Sequence, residues 1–191
     1  MRILVFDTET GGCSHVENDI LQLSYQVVDT DSQEVELEKN FFFPWPEDKS
    51  RVEDGAINVN GLTEEVLATK ELSDRSEALC CFFEDLDACD YIVAHNGQFD
   101  QKFIVATAER CNVDSDSSCW KPMIDTMRST TELCKLPPHP GHTGYKWPKL
   151  IELAEFLQIR TDDINLHDSS ADVELTKRCF MKLLDDGFWE L

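Results

Sequence analysis

The chain has 191 residues, and its 38 acidic residues against 17 basic ones give a formal net charge of −21. This length fits one domain with a substantial core, and so acidic a chain is not a general binder of polyanions. The apolar run before Asp7 is too short for a signal peptide, and no run approaches the ~20 residues that span a bilayer. We therefore expect a cytoplasmic protein without a membrane segment. The eight cysteines lack zinc-type spacing and are expected to be reduced thiols.

Three strands are predicted near the start of the chain. Residues 3–6 form a short apolar run, and residues 20–28 and 34–38 are strand-like stretches separated by a turn-rich segment. We expect these strands to form an antiparallel meander.

Helices and two further strands are predicted in the rest of the chain. Thr63 is a good N-cap for a short helix, and another helix is expected to begin near Ser73 or Ser76. Short strands are predicted at residues 91–94 and 123–125, followed by helices over residues 99–106, from about 126 through Leu133, over 149–157, and from about 169 onward. This order predicts an α/β fold, a mixed five-stranded sheet flanked by helices.

Acidic side chains follow the first strand immediately. Asp7 and Glu9 are two residues apart, so in an extended chain they point to one face while Thr8 points to the other. Two carboxylates about 4 Å apart repel by roughly 4 kcal/mol at an effective dielectric near 20. No Lys or Arg occurs between Arg2 and Lys39, so a local basic partner is missing. A metal ion is the favoured interpretation, although a proton would also relieve the repulsion.

Two later segments carry further candidate residues. Asp100 ends the segment HNGQFD after the fourth predicted strand, and His167 precedes Asp172 by five residues at the start of the last helix. Each is a weak signal alone, because Asp100 could be a solvated acid in a first helical turn, and His167 and Asp172 could be structural. The evidence for a functional site is the joint occurrence of these residues in this order.

In these three motifs the chain resembles the DEDDh branch of the DnaQ-like 3′-to-5′ exonucleases, which have a ribonuclease H-like fold. The matching segments are residues 6–11 (FDTETG), residues 95–100 (HNGQFD) and the His-x-x-x-x-Asp pattern of residues 167–172. Residues 61–63 and 146–150 also look like family features, whereas Gly97 stands where many relatives have Ala. The resemblance covers most of the chain and implies a single exonuclease domain over residues 1–191.

The resemblance also implies a chemistry. Asp7, Glu9, Asp100 and Asp172 would be metal-binding catalytic carboxylates for two divalent ions, Mg²⁺ or Mn²⁺, which are hard cations that prefer oxygen ligands. Asp7, Glu9 and Asp172 would hold the water-activating ion, Asp7 would bridge to the second, and Asp100 would act through coordinated water. His167 suits a general base near neutral pH because the ordinary pKa of histidine is about 6.5.

Substrate contacts are predicted around the first motif and elsewhere. By the same resemblance, the residues expected to touch the terminal nucleotide of a nucleic acid with a 3′ end are Thr8, Thr10, Val59, Leu62, Asn96 and Phe99. Ordinary core packing is the alternative for Val59, Leu62 and Phe99.

One stretch of this acidic chain is basic. Residues 121–149 hold five basic residues against two acidic ones, a net charge of +3. Lys146 and Lys149 are predicted to contact backbone phosphates, and Tyr145 or Trp147 to offer a ring face to a base. Trp147 could instead anchor the following helix in the core.

Two other functions use the same residues. The chain could be a catalytically silent nucleic-acid-binding or polymerase-associated module, or a phosphodiesterase of short oligonucleotides. Retention of all four acids and of His167 argues against the silent module. A DNA polymerase is a candidate partner, and the choice between DNA and RNA is left open by the sequence.

Overall fold

The computed structural model describes residues 1–164 and 167–189 and contains one five-stranded sheet. The strands are β1 (Arg2–Thr10), β2 (Ile20–Asp29), β3 (Val35–Phe42), β4 (Tyr91–Ala94) and β5 (Met123–Asp125), in the order β3-β2-β1-β4-β5. β1 pairs antiparallel with β2 and β2 with β3, whereas β1 pairs parallel with β4 and β4 with β5. The predicted mixed five-stranded sheet is confirmed.

The helices flank this sheet. They are α1 (Asp54–Asn60), α2 (Glu64–Leu67), α3 (Arg75–Asp87), α4 (Gly97–Cys111), α5 (Thr126–Ser129), α6 (Thr131–Cys134), α7 (Leu150–Phe156) and α8 (Ser169–Asp185). Short 3₁₀ turns occur at Lys49–Arg51 and Ser117–Cys119.

The alternation of side chains along β1 divides the core into two layers. Leu4 and Phe6 pack on one face against Phe103 and the aromatic residues of α3. Ile3 and Val5 pack on the other face against α8. Because successive strand residues alternate faces, Asp7 and Glu9 belong to the α8 face and Thr8 to the α4 face. The core thus fixes the direction in which each residue of the first motif points.

The helix predicted from residue 126 through Leu133 is interrupted. The structure has two short helices that meet at Thr130, whose backbone departs from helical angles (φ −96°, ψ 2°). Ser129, Thr130 and Thr131 each donate a side-chain hydroxyl to the carbonyl four residues earlier, at 2.7–2.9 Å. Such bonds compete with the backbone ladder and bend or end a helix. The prediction of one continuous helix was wrong for this reason.

Three other elements can be compared with the sequence prediction. β3 pairs with β2 as far as Gln22 and ends at Phe42, within the aromatic run of residues 41–43 that was expected to end it. α3 begins after Asp74, whose carboxylate accepts from two backbone N–H groups of the first turn. α1 was not predicted, and it ends at Gly61 with a φ of 69°, a conformation that glycine adopts without strain.

Two negative expectations can be compared with the described residues. Within residues 1–164 and 167–189, no helix combines the length and apolarity that crossing a membrane requires. All eight cysteines are free thiols.

Candidate active site

The first motif projects beyond its neighbouring strand. β1 pairs with β4 only from Ile3 to Val5, but its pairing with β2 continues to Thr10. The last part of β1 therefore has an open edge on the side of β4, and Asp7 and Glu9 lie on this part.

Asp100 closes the open edge of β1. It lies in the first turn of α4 and is buried, with 3% of its surface exposed. Its Oδ1 accepts the backbone N–H of Thr8 at 3.1 Å and the Thr8 hydroxyl at 2.6 Å. If β4 were longer, it would accept the Thr8 N–H as part of the sheet. Instead this N–H holds the Asp100 carboxylate beside the first motif.

The third motif reaches the same place from the other face. Asp172 lies in the first turn of α8, and His167 precedes the N-cap of that helix with a left-handed backbone (φ 68°). Ligand atoms of Glu9, His167 and Asp172 all lie within 4.8 Å of one another. The structure therefore gathers the predicted acids and histidine from three separate segments of the chain.

The carboxylates of this cluster repel one another. Burial, and then the charges of Asp100, Asp172 and Glu9, raise the pKa of Asp7 well above its usual range. Burial and the charge of Asp172 raise the pKa of Glu9 to about 8. Burial also raises the pKa of Asp100 to about 7, against the lowering effect of the Thr8 hydrogen bonds. For Asp172 burial raises the pKa to about 6, with a partial offset from His167.

This donor set suits a hard divalent cation. It consists of four carboxylates and one imidazole, and the charges that act most strongly on Asp7 all belong to other carboxylates. A buried oxygen of Asp172, Oδ1, has no hydrogen-bond partner among the described residues. Concentrated carboxylate oxygens fit a hard divalent ion such as Mg²⁺ or Mn²⁺.

A buried polar network holds the N-terminus of α8, and sequence reasoning missed it. Asp168 Oδ1 caps the helix by accepting from Ser170 N at 3.0 Å, and it also accepts from the Gln22 side chain at 3.0 Å. The hydroxyls of Ser169 and Ser24 are 2.6 Å apart. Burial alone would raise the pKa of Asp168, but the hydrogen bonds from Ser170 and Gln22 outweigh it and lower the pKa. The available signal was the period-two polar residues at 22, 24 and 26 inside an otherwise apolar strand.

Asn60 is a second missed residue. Its side chain donates to Thr10 O at 3.1 Å and accepts from Leu62 N at 3.0 Å, and its proximity to Glu9 lowers the pKa of that carboxyl against the larger raising effect of burial. Asn60 therefore joins the end of α1 to the first motif. Its position immediately before Gly61, at a helix end, was the only sequence signal.

The predicted nucleotide contacts fall into different environments. The hydroxyls of Thr8 and Thr10 are bonded within the protein, to Asp100 and to Gly12 O. Leu62 is buried with Leu21 and Leu67, as the core alternative predicted, whereas Val59 is 58% exposed, so core packing is wrong for Val59.

The two candidates from the second motif lie at the start of α4. Asn96 is partly buried with a left-handed backbone, and its N–H donates to Asp125 Oδ1 at 3.1 Å. Phe99 packs against Phe103 with ring centroids 4.9 Å apart, yet it also lines a surface cleft. Core packing therefore accounts for one side of Phe99, and contact of its other side with a nucleotide stays a prediction.

His95 joins the second motif to the basic segment. Its Nε2 lies 3.0 Å from Pro148 O, and its Nδ1 lies 3.0 Å from the Thr126 hydroxyl. Burial lowers the pKa of His95, so the neutral ring is favoured. A carbonyl only accepts, so Nε2 carries the proton and donates to Pro148 O, and the Thr126 hydroxyl lies within hydrogen-bond distance of both Nδ1 and Ala94 O.

The basic segment forms one wall of a cleft of about 920 Å³ that reaches His167. Lys146 is ion-paired with Glu152, which also accepts the Lys149 N–H at 2.7 Å, while the Lys149 side chain is exposed. Trp147 is 54% exposed and lies under the Arg128 guanidinium, 4.7 Å from the ring centroid. The expectation that Trp147 anchors a helix in the core was wrong.

Comparison with known proteins gives a consistent match. A family model described as exonuclease (RNase T) matches residues 4–180. The DNA polymerase III epsilon subunit of Buchnera aphidicola subsp. Acyrthosiphon pisum is 23% identical over 185 residues, covering 94% of this chain and 71% of that protein.

Solved structures share the fold. Escherichia coli exonuclease I bound to a dT13 oligonucleotide matches with a TM-score of 0.76 and 19% identity, over 95% of this chain. The chain spans only 40% of that protein's length. The nuclease domain of 3′hExo, a DEDDh family member bound to rAMP, matches with a TM-score of 0.71 and 17% identity, over 97% of this chain and 92% of that one. The predicted ribonuclease H-like fold is confirmed.

Proposed function

The chain belongs to the exonuclease family of the RNase T model, as its DEDDh motifs predicted, and on this premise we propose that it is a metal-dependent nuclease. It removes nucleoside monophosphates from the 3′ ends of single-stranded or frayed nucleic acid. The observation that carries this proposal is the convergence of Glu9, His167 and Asp172 within 4.8 Å, next to two further carboxylates. We also propose that residues 1–191 act as a single exonuclease domain.

The carboxylates are the proposed metal ligands. Asp7, Glu9 and Asp172 would hold one divalent ion, Mg²⁺ or Mn²⁺, and Asp7 with Asp100 would serve a second. Bound ions of this kind neutralise charge on the scissile phosphate and lower the pKa of a bound water. The high pKa values of Glu9 and Asp100 fit this role, because ligands that repel one another gain most from a cation.

His167 is the proposed general base. Its side chain is exposed to the large cleft and lies beside Asp172, so it can reach a water molecule that approaches the phosphate from that cleft. It takes a proton from the attacking water, and the adjacent carboxylate stabilises the resulting imidazolium.

The surroundings suit a terminal nucleotide. Val59 lies in α1 and its side chain is exposed. Asn60, the last residue of α1, hydrogen-bonds Thr10 O and so connects this helix to the first motif. Asn96 and Phe99 line the neighbouring clefts. We propose that Val59, Asn96 and Phe99 contact the last nucleotide, and that Thr10 and Leu62 pack behind them. The relative named as a polymerase subunit supports a DNA polymerase as a partner.

The proposal is tested by following labelled strands of DNA and RNA. A 5′-labelled strand should shorten in single-nucleotide steps with Mg²⁺ or Mn²⁺, and a 3′-labelled strand should release labelled mononucleotide at once. Binding without digestion would favour the silent module. Digestion restricted to very short substrates would favour the oligonucleotide phosphodiesterase.

A further inference from the structure

Two adjoining clefts beside the carboxylate cluster contain no acidic residue in their lining. The first is the cleft of about 920 Å³ that His167 and the basic segment line, and the second, of about 210 Å³, is lined by Lys102 and Arg128. Asn96 lines both, so the two clefts adjoin at the start of α4.

The absence of acids is unusual for this surface. The chain has more than twice as many acidic as basic residues. Clefts elsewhere on the described surface include acids: Glu84, Asp87 and Asp114 line one of them without any basic residue, and in another three acids lie beside three arginines. Coulombic repulsion would exclude a polyanion from the first of these clefts, but not from the pair beside the active site.

The cations in these clefts are available to a ligand. Lys102 and Lys149 are exposed, and neither forms an ion pair with the residues that the structure describes. Arg128 is 41% exposed and lies 3.4 Å from Asp125 Oδ2, with its guanidinium over Trp147. Lys146 differs from Arg128 in exposure: both are paired with an acid, but the Lys146 side chain is only 19% exposed.

These contacts also connect the clefts to the catalytic groups. His95 belongs to the motif that ends in Asp100, and its hydrogen bond to Pro148 O fixes the backbone next to Trp147. Asp125, the partner of Arg128, also accepts the N–H of Asn96. A ligand held by Arg128 and Trp147 is therefore held at a defined distance from the carboxylates.

We propose that Lys102, Arg128 and the ring of Trp147 form an entry track for the part of a single strand that lies on the 5′ side of the cleaved bond. This inference rests on the proposed exonuclease function. Lys102 and Arg128 bind backbone phosphates, and Trp147 with Arg128 forms a stacking platform for a base. Inside a duplex the faces of each base are covered by the neighbouring stacked pairs, so the track selects an unpaired strand.

The test compares a long single-stranded oligonucleotide with the p-nitrophenyl ester of thymidine 5′-monophosphate, which is too small to reach the track. In Lys102→Ala and Arg128→Ala we expect KM for the oligonucleotide to rise by about 3- to 10-fold, and activity on the ester to change less than twofold. The slope of log K against log salt should decrease in magnitude by about 0.7 for each lost phosphate contact. Trp147→Ala should weaken binding by about 10- to 100-fold with the slope unchanged.

Lys182→Ala is the matched control, because it removes one charge near the far end of α8. Oligonucleotide KM values and salt slopes equal to those of the parent and of this control would overturn the track. Binding isotherms of the wild type and variants in EDTA measure the same slopes without turnover. If the wild type hydrolyses neither substrate, the proposed function fails, and the isotherms still decide whether the track exists.

Discussion

Thr8 donates both its backbone N–H and its hydroxyl to one oxygen of Asp100, at 3.1 and 2.6 Å. This pair of bonds joins the strand that carries Asp7 and Glu9 to the helix that carries Asp100. The Thr8 side chain therefore serves the site by positioning a carboxylate.

Thr8→Val keeps the shape of the side chain and the backbone bond but removes the hydroxyl. We expect the Mg²⁺ concentration for half-maximal activity to rise by about 10- to 100-fold, the usual effect of losing a hydrogen bond behind a metal ligand. Steady-state rates measured across a Mg²⁺ titration give this value. Thr8→Ser, which retains the hydroxyl, should stay within a few-fold of wild type. A higher KM for nucleic acid with unchanged Mg²⁺ dependence would instead place Thr8 in direct substrate contact.

The metal-free protein should lose stability as pH rises. A carboxyl group whose pKa is raised by folding contributes its stability below the unfolded pKa, near 4, and loses it as pH rises through the folded pKa. For Glu9 the folded pKa is about 8 and for Asp100 about 7. In EDTA the free energy of unfolding should therefore fall between about pH 4 and pH 8, as urea denaturation at a series of pH values would show.

Neutral variants and added metal supply the controls for this pH effect. The double variant Asp7→Asn, Glu9→Gln should be about 1–3 kcal/mol more stable than wild type at pH 8 and similar to it at pH 5. Mg²⁺ should stabilise the wild type more at pH 8, where the carboxylates are ionised. A flat pH profile in EDTA would show that folding does not raise the pKa values of these acids.

His167→Ala should lower the rate at neutral pH by about 10²- to 10⁴-fold, which is the range for loss of a positioned general base. Its exposed side chain predicts little change in thermal stability. His142→Ala is the matched control, since His142 is exposed in the same cleft, and its rate should remain near that of wild type. If His167→Ala left the rate unchanged but lowered the melting temperature, His167 would be structural.

Gly97→Ala should destabilise the second motif, although alanine is common at this position in the relatives that the sequence resembles. A Cβ at Gly97 would lie 2.7 Å from Met123 Sδ and 2.9 Å from Ala94 Cβ. Overpacking of this kind costs about 1–3 kcal/mol. Gly55→Ala in α1 is the control, because a Cβ there meets nothing within 4 Å and should stabilise slightly. Chemical denaturation of both variants measures the difference, and equal stabilities would show that Met123 moves aside at little cost.

The sequence predicted those features that depend on local pattern. The alternation of residues 3–9 was enough to place Asp7 and Glu9 on one face and Thr8 on the other. The mixed sheet followed from strand-like segments in chain order, and the acids were grouped by their resemblance to a known set of motifs. These features can be predicted because each depends on the two-residue alternation of a strand or on a short spacing between residues.

Features that depend on contacts between distant segments were not predictable. The bond from Gln22 to Asp168 joins residues 146 positions apart, and the bond from His95 to Pro148 joins residues 53 positions apart. Pairing of Lys146 with Glu152 depends on where α7 begins, which the charge count of residues 121–149 could not reveal. The exposure of Trp147 likewise depends on the loop that leads to it. The charge count therefore identified a basic segment, but not which of its cations are ion-paired.

The most direct test of the metal-dependent site is digestion of a 5′-labelled strand by wild type and by Asp172→Asn, each with Mg²⁺ and with excess EDTA. Asp172 contributes a buried oxygen without a hydrogen-bond partner among the described residues, so its neutral variant should fold and yet lack a ligand. We predict stepwise shortening from the 3′ end only for the wild type with Mg²⁺, with a normal unfolding transition for the variant. Comparable digestion by Asp172→Asn, or by the wild type in excess EDTA, would contradict the metal-dependent mechanism.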